Sequence, residues 1–191
     1  MRAQGVIFKR RQEVIRACSG EVVRTEAVAY TESVAQEAAA TIAAEARSGV
    51  PERGRFGVAL SGGHAPWVML HAFEHENFPW ENLFVVQVDE RAAPDREPDR
   101  NLTHLRECLI GSSALRPEQI CATPVEPLSL DAAARYALTL GKLAGLAPIL
   151  ELVHLDLGPD GHTVSLVPGD PALDVTAVDV TLTISIKDGV G

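Results

Sequence analysis

The stretch Phe56–Trp67 has the sequence FGVALSGGHAPW, in which a short apolar run leads directly into two glycines and then a proline. A run of this length without charged or polar side chains is typical of a strand that is buried on both faces of a sheet. Gly62 and Gly63 allow a tight turn, and Pro66 is compatible with the first turn of a helix over Trp67–Glu74. We therefore predict a strand, a glycine turn and a helix, in that order.

The same alternation of strand and helix patterns extends in both directions from this stretch. Two more apolar runs of strand length are Leu83–Val88 and Leu150–Leu155. Apolar residues near helical spacing predict three further helices, over Ala27–Arg47, Leu102–Leu109 and Asp131–Gly145. Apolar strands that alternate with helices indicate an α/β fold, with a parallel sheet that helices cover on both faces.

Two outer segments predict further strands. Glu21–Arg24 is a candidate opening strand, and Val175–Ile186 alternates apolar and polar residues, which is typical of a strand with one buried face. The length of 191 residues fits a single domain, which we expect over residues 21–191. Residues 1–20 then form a basic N-terminal extension.

The composition excludes several classes of protein. The formal net charge of −9 disfavours a broad nucleic-acid-binding surface. The longest apolar runs are far shorter than the roughly 18 residues that a membrane-spanning helix needs. The three cysteines are odd in number and widely spaced, which argues against a disulfide framework and favours a reducing compartment. We therefore expect a cytoplasmic protein with no nucleic-acid or membrane partner.

Three polar loops follow the three apolar strands and carry the candidate chemistry: Ser61–His64, Asp89–Asn101 and Gly158–Thr163. Ligands of open parallel α/β sheets bind in a crevice outside the carboxyl ends of the strands. Because all three loops leave carboxyl ends, we expect them to converge on one crevice.

The first two loops contain groups that suit an anionic ligand. Gly62 and Gly63 bring backbone N–H groups close to a ligand at the start of a helix, and Ser61 adds a hydroxyl donor. Arg91 can pair with a phosphate or with an oxygen that becomes negative in a transition state, and Asn101 can donate from the far end of its loop. The alternatives are a purely structural turn and a charged surface loop held by local ion pairs.

The third loop contains a candidate general base. His162 follows an Asp-Gly pair at the end of a strand, and a histidine there can accept a proton near neutral pH. Asp160 can orient the imidazole ring or bind substrate hydroxyls. Gly158 and Gly161 allow a tight backbone, and Thr163 is a candidate cap for a following helix.

Other catalytic patterns are absent from the sequence. No phosphate-binding P-loop or dinucleotide-binding GxGxxG motif is present, and Ser61 and Ser165 lack the GxSxG elbow of a serine hydrolase. His71 and His75 have metal-ligand spacing, but no third ligand is evident, so we predict a helix-surface pair and no metal site.

Taken together, the three loops resemble the bacterial 6-phosphogluconolactonase family. The shared motifs are SGG-x-x-P, DER-x-x-P with a later Asn, and LGPDGHT-x-SL-x-PG, and the similarity extends from about Val22 to about Leu173. The resemblance implies hydrolysis of 6-phospho-D-glucono-1,5-lactone in the oxidative pentose phosphate pathway, without a cofactor. It also implies a three-layer α/β/α fold with a mainly parallel, doubly wound sheet, as in glucosamine-6-phosphate deaminase and ribose-5-phosphate isomerase.

The resemblance also implies roles for individual residues. His162 would activate water, Asp160 would position His162 or the sugar, and Arg91 would stabilise the oxyanion or bind the phosphate. The remaining expected substrate-binding residues are Ser61, Gly62, Gly63, His64, Asp89, Glu90, Asn101, Gly158, Gly161 and Thr163.

The sequence departs from the family pattern at four places. His64-Ala65 and Arg100-Asn101 stand where the family has Ser-Thr and Ser-Asn, and Asp156 replaces a small residue. The family's C-terminal strand, helix and strand have no counterpart, so we expect an incomplete domain. We predict a monomer, with self-association through an exposed sheet edge as the alternative.

Two other functions remain as alternatives. One is a truncated, inactive relative that binds a sugar phosphate. The other is an amino-sugar-phosphate deaminase or isomerase, in which a glutamate follows the DGH motif and supports the catalytic histidine. Here Thr163–Pro168 contains no glutamate, which disfavours that branch.

Overall fold

The computed structural model describes residues 11–16, 22–126, 129–145 and 148–183. Its strands are β1 (Arg11–Arg16), β2 (Val22–Ala27), β3 (Phe56–Leu60), β4 (Leu83–Gln87), β5 (Ile120–Cys121) and β6 (Leu152–Val153). Its α-helices are α1 (Thr31–Arg53), α2 (His64–Ala72), α3 (Asn101–Leu109) and α4 (Leu130–Ala144). The predicted strand, glycine turn and helix around Gly62 are therefore confirmed.

The central sheet is parallel, and its strand order creates a switch point. The order is β5-β4-β3-β6, with Val58 of β3 paired to Val85 on one side and to Leu152 on the other. The chain moves outward from β3 to β5 and then returns to the opposite side of β3. Such a reversal opens a crevice at the carboxyl ends of the two strands that flank it, here β3 and β6.

Helices cover both faces of this sheet. Phe56, Val58 and Leu60 point to one face, where they share a core with buried residues of α1, α2 and α3. Ala59 and Val86 point to the other face and are also buried. On that face α4 contributes the buried residues Ala132, Ala133 and Tyr136.

Tyr136 ties α4 to the sheet through its hydroxyl. That hydroxyl donates to the Gln87 carbonyl at 2.8 Å and accepts from the Gln87 N–H at 2.9 Å. The predicted parallel sheet with helices on both faces is thus confirmed.

The first helix is longer than predicted. It continues through Pro51 to Arg53 and ends at Gly54, which has φ of 75° and donates its N–H to Val50. Gly49 is buried, and a Cβ atom there would lie 3.1 Å from Phe56 Cδ2. Packing of the last turns against β3 therefore outweighs the local stop signals at Ser48-Gly49.

The structure differs from the predicted strands at three further places. Part of the basic extension, Arg11–Arg16, pairs antiparallel with β2, which includes the predicted opening strand from residue 22 on. Strand β5 was not predicted because a pair of residues carries no periodicity. The predicted strand Val175–Ile186 is wrong over residues 175–183, which form no ladder with a neighbouring strand, and residues 184–186 lie outside the described residues.

Candidate active site

The three polar loops converge at the carboxyl ends of β3, β4 and β6, as predicted. The hydroxyl of Ser165 donates to the Asp89 carboxylate, which joins the second and third loops. A Cβ atom on Gly63 would lie 3.2 Å from Asp156 Oδ2, which brings the first loop against the end of β6. The loops thus surround the crevice that the strand order creates.

The glycine turn has no room for side chains. A Cβ atom on Gly62 would lie 2.0 Å from Asn101 Oδ1, so the start of α3 packs directly on the turn. Gly63 has φ of 117°, a conformation that favours glycine, and immediately precedes α2. Backbone N–H groups in the first turn of a helix lack intrahelical partners and can bind an anion. His64, the first residue of α2, is exposed beside them.

Ser61 faces the protein interior and holds two strands together. Its side chain is buried, and its Oγ lies 3.1 Å from His154 Nδ1. Since Ser61 follows β3 and His154 follows β6, this hydrogen bond closes the floor of the crevice. The hydroxyl that we predicted as a ligand donor is therefore engaged within the protein.

Glu90 anchors the second loop to the start of α3. Its side chain is completely buried, and Oε1 accepts from the N–H groups of Asn101 and Arg91, each at 2.8 Å. Oε2 accepts from the N–H of Leu102 at 2.9 Å and from Gln87 Nε2 at 2.8 Å. A carboxylate at a helix N-terminus satisfies free N–H groups and complements the helix dipole. Glu90 therefore shapes the loop from below.

Asp89 and Arg91 stand on either side of this anchor in the chain. Arg91 is exposed, and Nη1 donates to the Asp99 carbonyl at 3.4 Å, so most of its guanidinium stays accessible. Asp89 accepts from Asn101 Nδ2 at 3.2 Å as well as from Ser165. Arg91 and Arg96 are both exposed, so the loop carries two cations that solvent can reach.

The third loop holds His162 against its own backbone. The N–H of Gly158 donates to the His162 carbonyl at 2.8 Å, and a Cβ atom on Gly158 would lie 2.0 Å from His162 Cε1. Gly161, with φ of 88°, completes the turn. The His162 side chain is 13% exposed, so its ring is sheltered but open to the crevice.

Asp160 partners the histidine ring. Asp160 Oδ1 bonds His162 Nδ1, and this hydrogen bond holds the pKa of the Asp160 carboxyl below its usual range. An ionised carboxylate at Nδ1 fixes the tautomer in which Nε2 carries the lone pair. The pair therefore has the arrangement of a general base and its orienting acid.

Thr163 does not cap a helix, contrary to prediction. Its Oγ1 donates to the Asp156 carbonyl at 2.9 Å, and the described chain after it forms turns up to a short 3-10 helix, Pro171–Asp174. Asp170 caps that helix instead, accepting from Ala172 at 2.8 Å. The hydroxyl of Thr163 therefore fastens the third loop to the end of β6.

His154 is a crevice residue that the sequence analysis missed. Burial lowers the pKa of His154, an effect that the nearby Asp156 carboxylate partly opposes. A lone histidine in an apolar run indicates a core residue. However, His154 and Asp156 are two apart at a strand end, and residues at this spacing face the same side. That spacing is the signal that identifies them.

The described part of the chain contains no deep ligand cavity at this place. A void of about 10 Å³ lies behind the glycine turn, lined by residues that include Trp67 and Asn101, and it is about the size of one water molecule. No cluster of three metal-ligating side chains occurs within the described ranges, and none of the described helices is long and apolar enough to cross a membrane.

Comparison with known proteins identifies the family. The family described as "Glucosamine-6-phosphate isomerases/6-phosphogluconolactonase" matches residues 29–189. The chain belongs to this family. A 6-phosphogluconolactonase of Synechocystis sp. is 34% identical over 145 residues, which cover 73% of this chain and 60% of that protein. A 6-phosphogluconolactonase of Pseudomonas aeruginosa is 33% identical over 137 residues, covering 72% of this chain and 56% of that protein.

A solved structure supports the fold. The crystal structure of a 6-phosphogluconolactonase from Shewanella baltica matches with a TM-score of 0.70 at 22% identity, covering 81% of this chain and 66% of that chain. The predicted fold, and the resemblance on which it partly rested, are therefore confirmed. The chain spans about 60% of the length of the Synechocystis relative.

Proposed function

We propose that this chain hydrolyses 6-phospho-D-glucono-1,5-lactone to 6-phospho-D-gluconate. The observation that carries the proposal is the hydrogen-bonded pair of His162 and Asp160 in the third of the loops that follow the strands at the switch point, in a chain from this family. Relatives named 6-phosphogluconolactonase support the substrate class.

The pair supplies what ester hydrolysis requires. Nε2 of His162 takes a proton from water while the water oxygen bonds to the lactone carbonyl carbon, and the carbonyl oxygen becomes negative. Arg91, an exposed cation of the second loop, stabilises that oxygen. When the bond between the carbonyl carbon and the ring oxygen breaks, His162 returns the proton to the ring oxygen. One water is consumed, and the products are a carboxylic acid, which ionises, and a free hydroxyl.

The glycine turn suits the other end of the substrate. N–H groups at the start of α2 and the exposed side chain of His64 are donors for a phosphate group. Asp89, Asn101, Gly158, Gly161 and Thr163 contribute by holding the loops in register rather than by supplying charge.

The experiment that tests this function is a lactonase assay on His162→Ala. General base catalysis typically contributes 10²- to 10⁴-fold, so we expect turnover above the spontaneous rate to fall by about that factor. His75→Ala is the matched control, because His75 is 74% exposed and contacts Glu74 outside the crevice. Unchanged turnover by His162→Ala would remove this residue from the mechanism.

Two other outcomes would assign a different function. If the unmodified protein is stabilised thermally by 6-phosphogluconate without hydrolysing the lactone, it is a sugar-phosphate-binding protein. If it releases ammonia from glucosamine 6-phosphate, it belongs to the deaminase branch.

We also propose that the protein is a cytoplasmic monomer. Cys108 and Cys121, the cysteines among the described residues, are both free thiols, which supports a reducing compartment. The alternative is self-association along β6, where Val153 is 51% exposed at a sheet edge. Light scattering at increasing protein concentration distinguishes the two, because only self-association raises the measured mass.

A further inference from the structure

The carboxylate of Asp156 lies at the start of α2, where an anionic ligand would bind. Asp156 Oδ2 is 3.2 Å from the position that a Cβ atom of Gly63 would occupy, and Gly63 immediately precedes this nine-residue helix. Among the described residues, no hydrogen bond or ion pair involves the Asp156 carboxylate. An unneutralised negative charge therefore stands beside the N–H groups of the glycine turn.

The other charges of the crevice do not cancel this carboxylate. Asp160 is bonded to His162, and Asp89 is bonded to Asn101 and Ser165. The exposed cations of the second loop, Arg91 and Arg96, follow β4, whereas Asp156 follows β6 on the far side of β3.

His154 does not offset the charge at neutral pH either. It lies between Ser61 and Asp156, and burial lowers its pKa, so the imidazole is neutral there. An incoming dianion would thus meet Asp156 without a compensating charge on the same strand.

We propose that Asp156 is a specificity-determining residue that weakens the preference of this site for phosphorylated over unphosphorylated lactones. The proposal rests on the proposed lactonase function, because it concerns the substrate of that same site. Two negative charges on a phosphate about 7 Å from one carboxylate change the affinity about sevenfold in water, and screening at about 0.01 M salt reduces this to about fivefold.

The test compares Asp156→Asn with the unmodified protein on two substrates, 6-phospho-D-glucono-1,5-lactone and D-glucono-1,5-lactone. We expect kcat/KM for the phosphorylated lactone to rise about fivefold and kcat/KM for the other to stay within twofold. We also expect added salt to reduce the difference in kcat/KM for the phosphorylated lactone between Asp156→Asn and the unmodified protein, because ions screen an exposed charge. Glu52→Gln is the matched control, since Glu52 is exposed near the end of α1, which precedes the amino end of β3, whereas the crevice lies at the carboxyl ends of the strands.

A binding measurement keeps this test independent of catalysis. Calorimetric titration with 6-phosphogluconate and with gluconate measures the preference for the phosphorylated ligand, as a ratio of two affinities, without turnover. If neither lactone is hydrolysed, the proposed function fails, and a higher 6-phosphogluconate affinity of Asp156→Asn still supports the role of Asp156. The inference is overturned if Asp156→Asn folds as the unmodified protein does but its preference for phosphorylated over unphosphorylated ligands is unchanged, both in kcat/KM and in affinity.

Discussion

Replacing the buried glutamate of the second loop, Glu90→Gln, tests how this crevice is held together. Each oxygen of the Glu90 carboxylate accepts two hydrogen bonds, at 2.8–2.9 Å. A glutamine side chain keeps the shape but has only one acceptor oxygen, and its NH₂ group would face N–H donors. The substitution therefore isolates the electrostatic function of the carboxylate from its packing.

The expected cost follows from these contacts. Two buried N–H donors lose their acceptor, and each such loss costs about 1–3 kcal/mol. Arg100, whose side chain is 7% exposed and whose Nε lies 3.7 Å from Glu90 Oε2, loses its buried counter-charge. Glu126 and Asp95 remain near its Nη1 at 3.1 and 3.8 Å, which limits that loss. We expect the free energy of unfolding to fall by about 3 kcal/mol.

Urea denaturation followed by circular dichroism measures this change, and a thermal melt should show a decrease of roughly 6–12 °C for a chain of this size. Glu97→Gln is the control, because it makes the same chemical change on an exposed residue of the same loop. The reasoning is refuted if Glu90→Gln lowers the free energy of unfolding by less than about 1 kcal/mol, or by no more than Glu97→Gln does. Replacing a buried carboxylate that accepts four hydrogen bonds should cost more than that.

Two further predictions concern the floor and the back of the crevice. Gly62→Ala should lower stability by about 1–3 kcal/mol, because its Cβ atom would lie 2.0 Å from Asn101 Oδ1. In urea denaturation the double variant with Asn101→Ala should lose less than the sum of both single losses, and strict additivity would contradict the clash. Tyr136→Phe should cost about 1–3 kcal/mol near pH 7, because both hydrogen bonds to Gln87 are lost. Burial raises the pKa of Tyr136 to about 12, so the unmodified protein should lose stability as pH rises from about 10 to 12. Denaturation across that range should show a smaller loss for Tyr136→Phe, and equal slopes would exclude Tyr136 as the titrating group.

The main elements of the fold were predictable because the local sequence patterns agree with the way these elements pack in the tertiary structure. β3 is apolar throughout and β4 is apolar up to Gln87, and the glycine turn precedes a helix as expected. The same local logic failed at Val175–Ile186, whose alternating pattern requires a neighbouring strand that the described residues do not supply. It also failed at Ser48-Gly49, where packing of Gly49 on Phe56 keeps the chain helical.

The sequence predicted which loops form the candidate site but not the role of each residue in them. Ser61 and Glu90 were expected to face the substrate, but the structure engages both within the protein. His154 stands within an apolar run, a position typical of a core residue, yet it borders the crevice beside Asp156. A sequence lists which donors and acceptors each loop carries. The contact that satisfies each of them depends on strands that are distant along the chain.

The sequence by itself therefore determined the elements and the candidate chemistry of this protein. Periodicity, glycine pairs and the DGH motif act over a few residues, so they can be recognised without knowing what packs against them. Only the tertiary structure decided the strand order β5-β4-β3-β6, which places the ends of β3 and β6 side by side. That order set Ser61 against His154, and Asp156 against the glycine turn. The electrostatic interactions of these residues depend on the distances between them in space, and no local sequence pattern encodes those distances.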